Sequence, residues 1–313
     1  MKIYQKFTDL TECQQPIHWA IGVFDGVHLG HQRVILSANT PGALRGVVTF
    51  RTHPLTFLKP VYAPLLLTPY PIQKYELLKK LKVDVVLELI FNPQLAAMTP
   101  TQFLDALCQN SHVAGISVGA NWRFGKGGAG DARFLTTEAK RRGFNAVVCD
   151  LLSNNHATVC STQIRQLLKD GHVKTAEAML GRPFSVCGFV EHGQHLARQW
   201  GFPTANIEPS HLAALPKAGV YLVSAEIRGE IHWGIANIGI RPSISESTKI
   251  PRLEAHFPHW NKGDFYGQPL EIFLHDFLRP EIKFESLQEL QNQIHKDLET
   301  AKPYINDNMP QLP

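Results

Sequence analysis

Covalent cross-links have little to work with in this chain. Its 313 residues include five cysteines: Cys13, Cys108, Cys149, Cys160 and Cys187, an odd number with no C-x-x-C pair. Neither a disulfide framework nor a zinc ribbon is readable from that spacing, so a reducing cytosol is the expected setting. Charge of one sign is also scarce. The formal net charge is +4, and the longest Lys/Arg run is Lys140-Arg141-Arg142. A nucleic-acid binder would show a basic stripe or block, so no nucleic-acid partner is expected, and a mildly basic protein with anionic small-molecule substrates fits as well as anything. Long apolar runs are missing too. The opening "MKIYQKFTDLTECQQ" has no apolar core of signal-peptide length. The most apolar stretch, "VDVVLELIF", is short and carries acids, so no membrane partner is expected. There is no internal repeat, no P-loop G-x-x-x-x-G-K-[ST], and no H-R-D or D-F-G string of the protein kinases.

What is present is a change of period along the chain. In the first part apolar runs alternate with helical patterns: "HWAIGVF", "LRGVVTF", "VDVVLELIF", "VAGISVG" and "FNAVVCDLL" read as strands. "GHQRVILSA", "TPYPIQKYELLKKLK" with Pro71 in its first turn, "TPTQFLDALCQN" capped by Thr99, and "ARFLTTEAKRRG" closed by Gly143 read as helices. Such alternation predicts a parallel sheet with helices on both faces. "STQIRQLLKDGHVKTAEAMLG" is helical and closes the first domain. From about residue 183 short alternating runs follow, punctuated by Gly and Pro: "FSVCGFVEHG", "GVYLVSAEIRG", "EIHWGIANIGI", "RLEAHF" and "PLEIFLHDFL". That pattern predicts an antiparallel sandwich or small barrel. A closing helix follows, with a Ser286/Glu289 capping box. The expected division is 1–182 and 183–313.

The chemistry concentrates first in "GVFDGVHLGH", residues 22–31. A strand ending at Phe24 delivers Asp25 and Gly26 to the carboxyl edge of a parallel sheet, beside a helix N-terminus whose free N–H groups favour phosphate. His28 and His31, three apart, point the same way if the turn is helical, and Gly30 leaves room for a phosphate. A metal site would need a third ligand, and none is evident. An ordinary strand–turn–helix connection with two surface histidines is the remaining alternative.

The whole string, together with Ser161-Thr162-Gln163-Ile164-Arg165 downstream, resembles the two signatures of the H-x-G-H nucleotidylyltransferases. Among these it is similar to the bacterial bifunctional riboflavin kinase/FMN adenylyltransferase family. The resemblance implies a Rossmann-like N-terminal domain in which His28, His31 and Arg165 act on the ATP phosphates. Gly22, Phe24, Asp25, Gly30, Ser161 and Thr162 would complete that site. "VGANWRFG" and "TFRTHP" resemble further family segments, which makes Asn121, Trp122, Phe124 and His53 candidate flavin contacts. In the C-terminal half "GFPTANIEP" resembles a riboflavin kinase signature, implying a β-barrel kinase. There Thr204 and Asn206 would be Mg²⁺ and ATP ligands, since both offer hard oxygen donors. "RLEAHF" then makes Glu254 the general base on riboflavin, and the run to "LRPEIKF" makes Arg279 a candidate nucleotide or flavin contact. The implied substrates and products are ATP, riboflavin, FMN and FAD, with a monomer as the default state.

A rival fingerprint, "GKGGAG" at 125–130, matches the dinucleotide-binding G-x-G-x-x-G, but "ANWRF" separates it from its strand. The chain also departs from the family pattern: Val23 replaces a frequent Asn, Cys160 a Ser, Gln194 an Asp and Ala197 a Gly. The last two lie in the segment expected to cover ATP. A nucleotidylyltransferase of other substrate would lack "GFPTAN". A flavin carrier with a decayed kinase half would bind flavin without turning over ATP.

Overall fold

The computed structural model describes residues 1–154, 157–191, 204–241, 250–258 and 267–306. The chain divides into two compact units, Met1–Ser161 and Thr162–Pro313.

The first unit holds a six-stranded sheet. Its strands are β1 (Lys2–Tyr4), β2 (Ile17–Ile21), β3 (Leu44–Phe50), β4 (Val85–Leu89), β5 (Val113–Gly119) and β6 (Asn145–Cys149). The spatial order is β1-β4-β3-β2-β5-β6, and each pairing in it is parallel. Successive side chains of a strand face opposite sides, so β2 feeds two cores. On one side Trp19 and Ile21 pack with Phe103, Leu104 and Leu107 of α5 (Pro100–Asn110) and Leu135 of α6 (Ala132–Arg142). On the other, Ala20 packs with Val34 and Ile35 of α1 (Leu29–Ser37) and Leu78 of α3 (Pro71–Lys80). Two short helices, α2 (Pro54–Leu58) and α4 (Pro93–Ala97), sit in the connections. Helix signals worked as the sequence implied. Thr99 caps α5 in a reciprocal box with Gln102, and Gly143 ends α6 in the left-handed conformation. β1 is a difference: three residues carry no readable period, yet they pair with β4 and extend the sheet.

The sheet reverses its winding at β2 and β5. These strands are neighbours, but the chain moves from β2 to β3 on one side and from β5 to β6 on the other. Open α/β sheets leave a crevice outside the carboxyl ends at such a point. A short hairpin, β7 (Ser153–Asn154) and β8 (Ala157–Thr158), follows β6.

α7 (Ser161–Asp170), which starts at the last residue of the first unit, and α8 (Val173–Leu180) precede a closed antiparallel barrel in the second unit. The barrel strands are β9 (Phe184–Glu191), β10 (Thr204–Pro209), β11 (Gly219–Ile227), β12 (Glu230–Arg241), β13 (Ile250–His256) and β14 (Pro269–Arg279). Their order is β10-β13-β12-β11-β14-β9. Of the two architectures the alternation allowed, the barrel is the one formed. The chain's two mid-helices make contacts with barrel residues. The Lys217 N–H donates to the Leu168 carbonyl at 2.9 Å, and the Lys174 ammonium reaches Asp276 at 2.6 Å. The closing helix α9 (Leu287–Asn306) lays Ile294, Leu298 and Ala301 over Val220, Leu222, Trp233 and Ile235 on the barrel's outer face. Its cap is offset: Ser286 Oγ accepts from the Glu289 N–H as expected, but the Glu289 carboxylate accepts from the Glu285 N–H.

Candidate active sites

The first site grows from the way β2 ends. The chain leaves the sheet at Ile21 and enters a turn of positive φ: Phe24 (52°), Gly26 (81°) and Val27 (42°). Non-glycine residues at positive φ are strained, so something must hold Phe24 and Val27. Asp25 does part of this. Its carboxylate, 4% exposed, accepts from the Leu67 N–H at 2.9 Å and from the Thr68 N–H at 3.1 Å. The Gly26 N–H donates to Thr68 Oγ1 at 3.2 Å. A Cβ on Gly26 would lie 2.7 Å from a Leu67 methyl, so this approach requires glycine.

The turn delivers His28 as the N-cap of α1, and its Nδ1 accepts from the His31 N–H at 3.3 Å. The two imidazoles stack, with centroids 3.5 Å apart and planes within 20°, while Phe24 meets His31 edge-on at 5.3 Å. Ser161, the first residue of the second motif and the last of the first unit, donates its hydroxyl to the Asp25 carbonyl at 2.9 Å. Arg165 follows one helical turn later on α7.

Asn121 and Trp122 follow β5 directly, at the other lip of the crevice. The Trp122 N–H donates to the Gly119 carbonyl at 3.0 Å, and Asn121 is exposed. His53 caps α2, its Nδ1 accepting from the Leu55 N–H. It lines a pocket with Val23, Asp25, Phe50, Thr68 and Lys74. The turn, His53 and the β5 lip are therefore all parts of the carboxyl edge of one sheet.

The second site is a row across the barrel wall. In antiparallel ladders directly opposed residues share a face, with Cβ atoms about 5 Å apart. Glu191 opposes Asn206, Asn206 opposes Glu254, and Glu254 opposes Asn237. Two carboxylates and two amides thus alternate over β9, β10, β13 and β12. Leu253 and Ala255, fully buried, take the opposite face, so the row lies outside the barrel, with Glu254 exposed. The Asn237 Nδ2 donates to the Glu281 carboxylate at 3.2 Å.

Two family models match. One, described as FAD synthetase, covers residues 10–163; the other, described as riboflavin kinase, covers 180–305. The relative from Pseudomonas fluorescens, a bifunctional riboflavin kinase/FMN adenylyltransferase, is 36% identical over 90% of this chain and 91% of its own. The Escherichia coli K12 protein of the same description is 34% identical over 99% and 100%. A solved structure described as a macrolide-efflux protein from Streptococcus pneumoniae superposes with a TM-score of 0.86, at 26% identity over 96% of this chain and 98% of that one. The chain belongs to the bifunctional riboflavin kinase/FMN adenylyltransferase family.

Within that family frame, some expected site residues are committed elsewhere. Phe124 is 8% exposed and packs among Phe103, Phe134 and Trp122; its ring belongs to the core with Trp122 stacked on it, while Asn121 is exposed. Arg279 makes a fork with Asp297 of α9, Nε to Oδ1 at 2.9 Å and Nη2 to Oδ2 at 2.8 Å, so its guanidinium fastens the closing helix. The "GKGGAG" segment forms a short 3₁₀ turn, and α6 starts later, capped by Asp131; it is no dinucleotide fingerprint. Gln194, Ala197 and the side chain of Thr204 lie outside the described residues. Asn237 and Thr68 were not singled out in the sequence. Only strand register exposes the first, and only the partner of Asp25 exposes the second.

Proposed function

We propose that this is a two-step flavin enzyme: the barrel row phosphorylates riboflavin to FMN, and the turn at the sheet edge adenylylates FMN to FAD. The adenylylation site belongs to residues 1–182 and the kinase site to 183–313. The observation that carries the reading is the Ser161–Asp25 hydrogen bond, which joins the two nucleotidylyltransferase motifs at a sheet edge suited to phosphate.

In adenylylation an FMN phosphate oxygen attacks the α-phosphorus of ATP. One P–O bond forms, the α–β bridging bond breaks and pyrophosphate leaves. No covalent enzyme intermediate is needed, so the protein's work is alignment and charge stabilisation. His28, His31 and Arg165 face the phosphates, with Gly22, Phe24, Gly30 and Thr162 shaping the cradle. Asp25 and Ser161 act by holding the turn and the start of α7. Asn121, Trp122 and His53 receive the flavin.

In phosphorylation Glu254 takes the proton of the ribityl 5′-hydroxyl as its oxygen bonds the γ-phosphorus and ADP departs. Thr204 and Asn206 would hold Mg²⁺, which would neutralise phosphate charge. Among the described residues no group of three His, Cys, Asp or Glu could hold a metal ion. We take this enzyme as cytoplasmic and, by default, a monomer acting on small molecules; among the described residues no helix is long and apolar enough to cross a membrane.

The test is product chromatography. Glu254→Gln abolishes riboflavin phosphorylation and spares FMN-to-FAD conversion; His28→Ala with His31→Ala does the reverse. Equal loss of both activities in both variants sinks the division of labour.

A further inference from the structure

Lys74 of α3 is 8% exposed and its ammonium is aimed at main-chain oxygens rather than at solvent. It donates to the Val23 carbonyl at 3.3 Å, the Phe50 carbonyl at 3.2 Å and Thr49 Oγ1 at 3.4 Å. The Thr49 hydroxyl in turn donates to the same Val23 carbonyl at 2.9 Å. That carbonyl belongs to the peptide entering Phe24, the first strained residue of the histidine turn. An amphipathic helix would ordinarily place a lysine in water, since an ammonium costs several kcal/mol to bury unpaired.

The segment leading into α3 grips the turn a second time, through Thr68 and Leu67 on the Asp25 carboxylate. Val23 and Asp25 flank Phe24, and the Phe24 ring meets His31 edge-on. The path from ammonium to imidazole is therefore short and contiguous: Lys74 to the Val23 carbonyl, to the strained Phe24, to His31.

We propose that Lys74 is a positioning residue for adenylyl transfer, its ammonium fixing the Val23 peptide and, through it, the turn that presents His28 and His31. The inference rests on the reading that this turn carries FMN adenylylation. The charge on Lys74 matters because a neutral amine would weaken all three bonds; charge-assisted hydrogen bonds are roughly twice as strong as neutral ones. Burial pulls the Lys74 amine below its ordinary range, opposed by the carboxylates of Asp25 and Glu88. The other titratable groups around it are Arg51, bonded to Glu88, Tyr75 beside it on α3, and His53 across the pocket. The first two titrate above the lysine, Arg51 being raised by Glu88 and Tyr75 pushed up to about 12.

The test supplies FMN and Mg-ATP directly to the purified full-length enzyme, so that the kinase step is bypassed. Lys74→Met is expected to lower kcat for FAD formation by about tenfold or more, with the ATP KM changed by less than about threefold. The wild type is expected to lose adenylylation rate in one step on the alkaline side, below the free lysine value of about 10.4. Lys74→Met lacks that step, and Lys74→Arg holds its plateau to higher pH. Riboflavin phosphorylation is unchanged in all three. A Lys74→Met rate within about twofold of wild type, or an alkaline step that persists in either variant, overturns the proposal. Should Lys74→Met not fold, as read by thermal melting, the Lys74→Arg profile decides alone. Should the double His28/His31 variant keep FAD formation, the reading of the turn itself fails, and the two failures are thereby told apart.

Discussion

The imidazoles of His28 and His31 lie face to face, 3.5 Å between centroids, and Gly30 is what leaves room for this. A Cβ on Gly30 would stand 3.2 Å from the His28 ring and 3.4 Å from the Val159 carbonyl, tighter than ordinary contact on one side and backed by main chain on the other. Gly30→Ala should therefore displace the ring. Alanine favours a helix over glycine by about 1 kcal/mol, so the melting temperature should hold or rise while FAD formation from FMN falls at least about tenfold. A stable variant with full activity would show that the ring placement is immaterial.

Asn237 opposes Glu254 in the ladder and touches Glu281. Asn237→Asp places a third carboxylate among them, and like charge crowded beside Glu254 opposes the approach of ATP phosphates. Riboflavin phosphorylation should fall at least about tenfold, with adenylylation unaffected. An undiminished rate would mean that the row is not where phosphorylation takes place.

Arg279 and Asp297 are nearly buried partners, 16% and 5% exposed. Truncating one leaves the other charged and unpaired, which typically costs about 3–5 kcal/mol. Arg279→Ala should lower the urea midpoint of the barrel unit strongly. Arg279→Leu with Asp297→Leu should cost less than Arg279→Ala alone. A lowered riboflavin affinity with unchanged stability would instead restore the ligand role that the sequence suggested for Arg279.

His18 is 1% exposed and bridges Thr40 and Ser117 through its two ring nitrogens. Burial, helped by Arg45, lowers its pKa to about 4. Between that value and the unfolded value of about 6.5 the unfolded chain binds more protons. Stability is thus fully present above about pH 6.5 and drains away as pH falls towards 4, by up to about 3 kcal/mol from this residue. Denaturant unfolding of the N-terminal unit should show this acid loss, and His18→Asn should flatten it. His275, whose pKa burial also lowers to about 4, produces the same trend in the barrel unit and should be insensitive to that substitution.

Features governed by local chemistry were legible in the sequence. β3 (Leu44–Phe50) stands where "LRGVVTF" put it, and Thr99 and Gly143 end their helices as their side chains dictate. The histidine turn was legible because strand end, glycines and imidazoles are consecutive. Features created by distant partners were not. Lys74 looks like any lysine of an amphipathic helix until Val23 arrives above it, and the fork that Arg279 makes exists only once Asp297 comes round on α9. Asn237 gains its meaning only from the register that sets it beside Glu254. The edge strand β1 went unread because three residues are too few to display an alternation.

The barrel row also turns reading frame into chemistry. Glu254 points outward only because Leu253 and Ala255 point inward, so sliding β13 by one position would exchange a carboxylate for an aliphatic side chain without changing the composition of the protein. Single-residue insertions or deletions within 250–256 should therefore be all-or-none for riboflavin phosphorylation, even where the barrel still closes. An equally small length change that leaves the frame of β13 intact is tolerable. For this half of the molecule, spacing between residues is inherited as strictly as their identity.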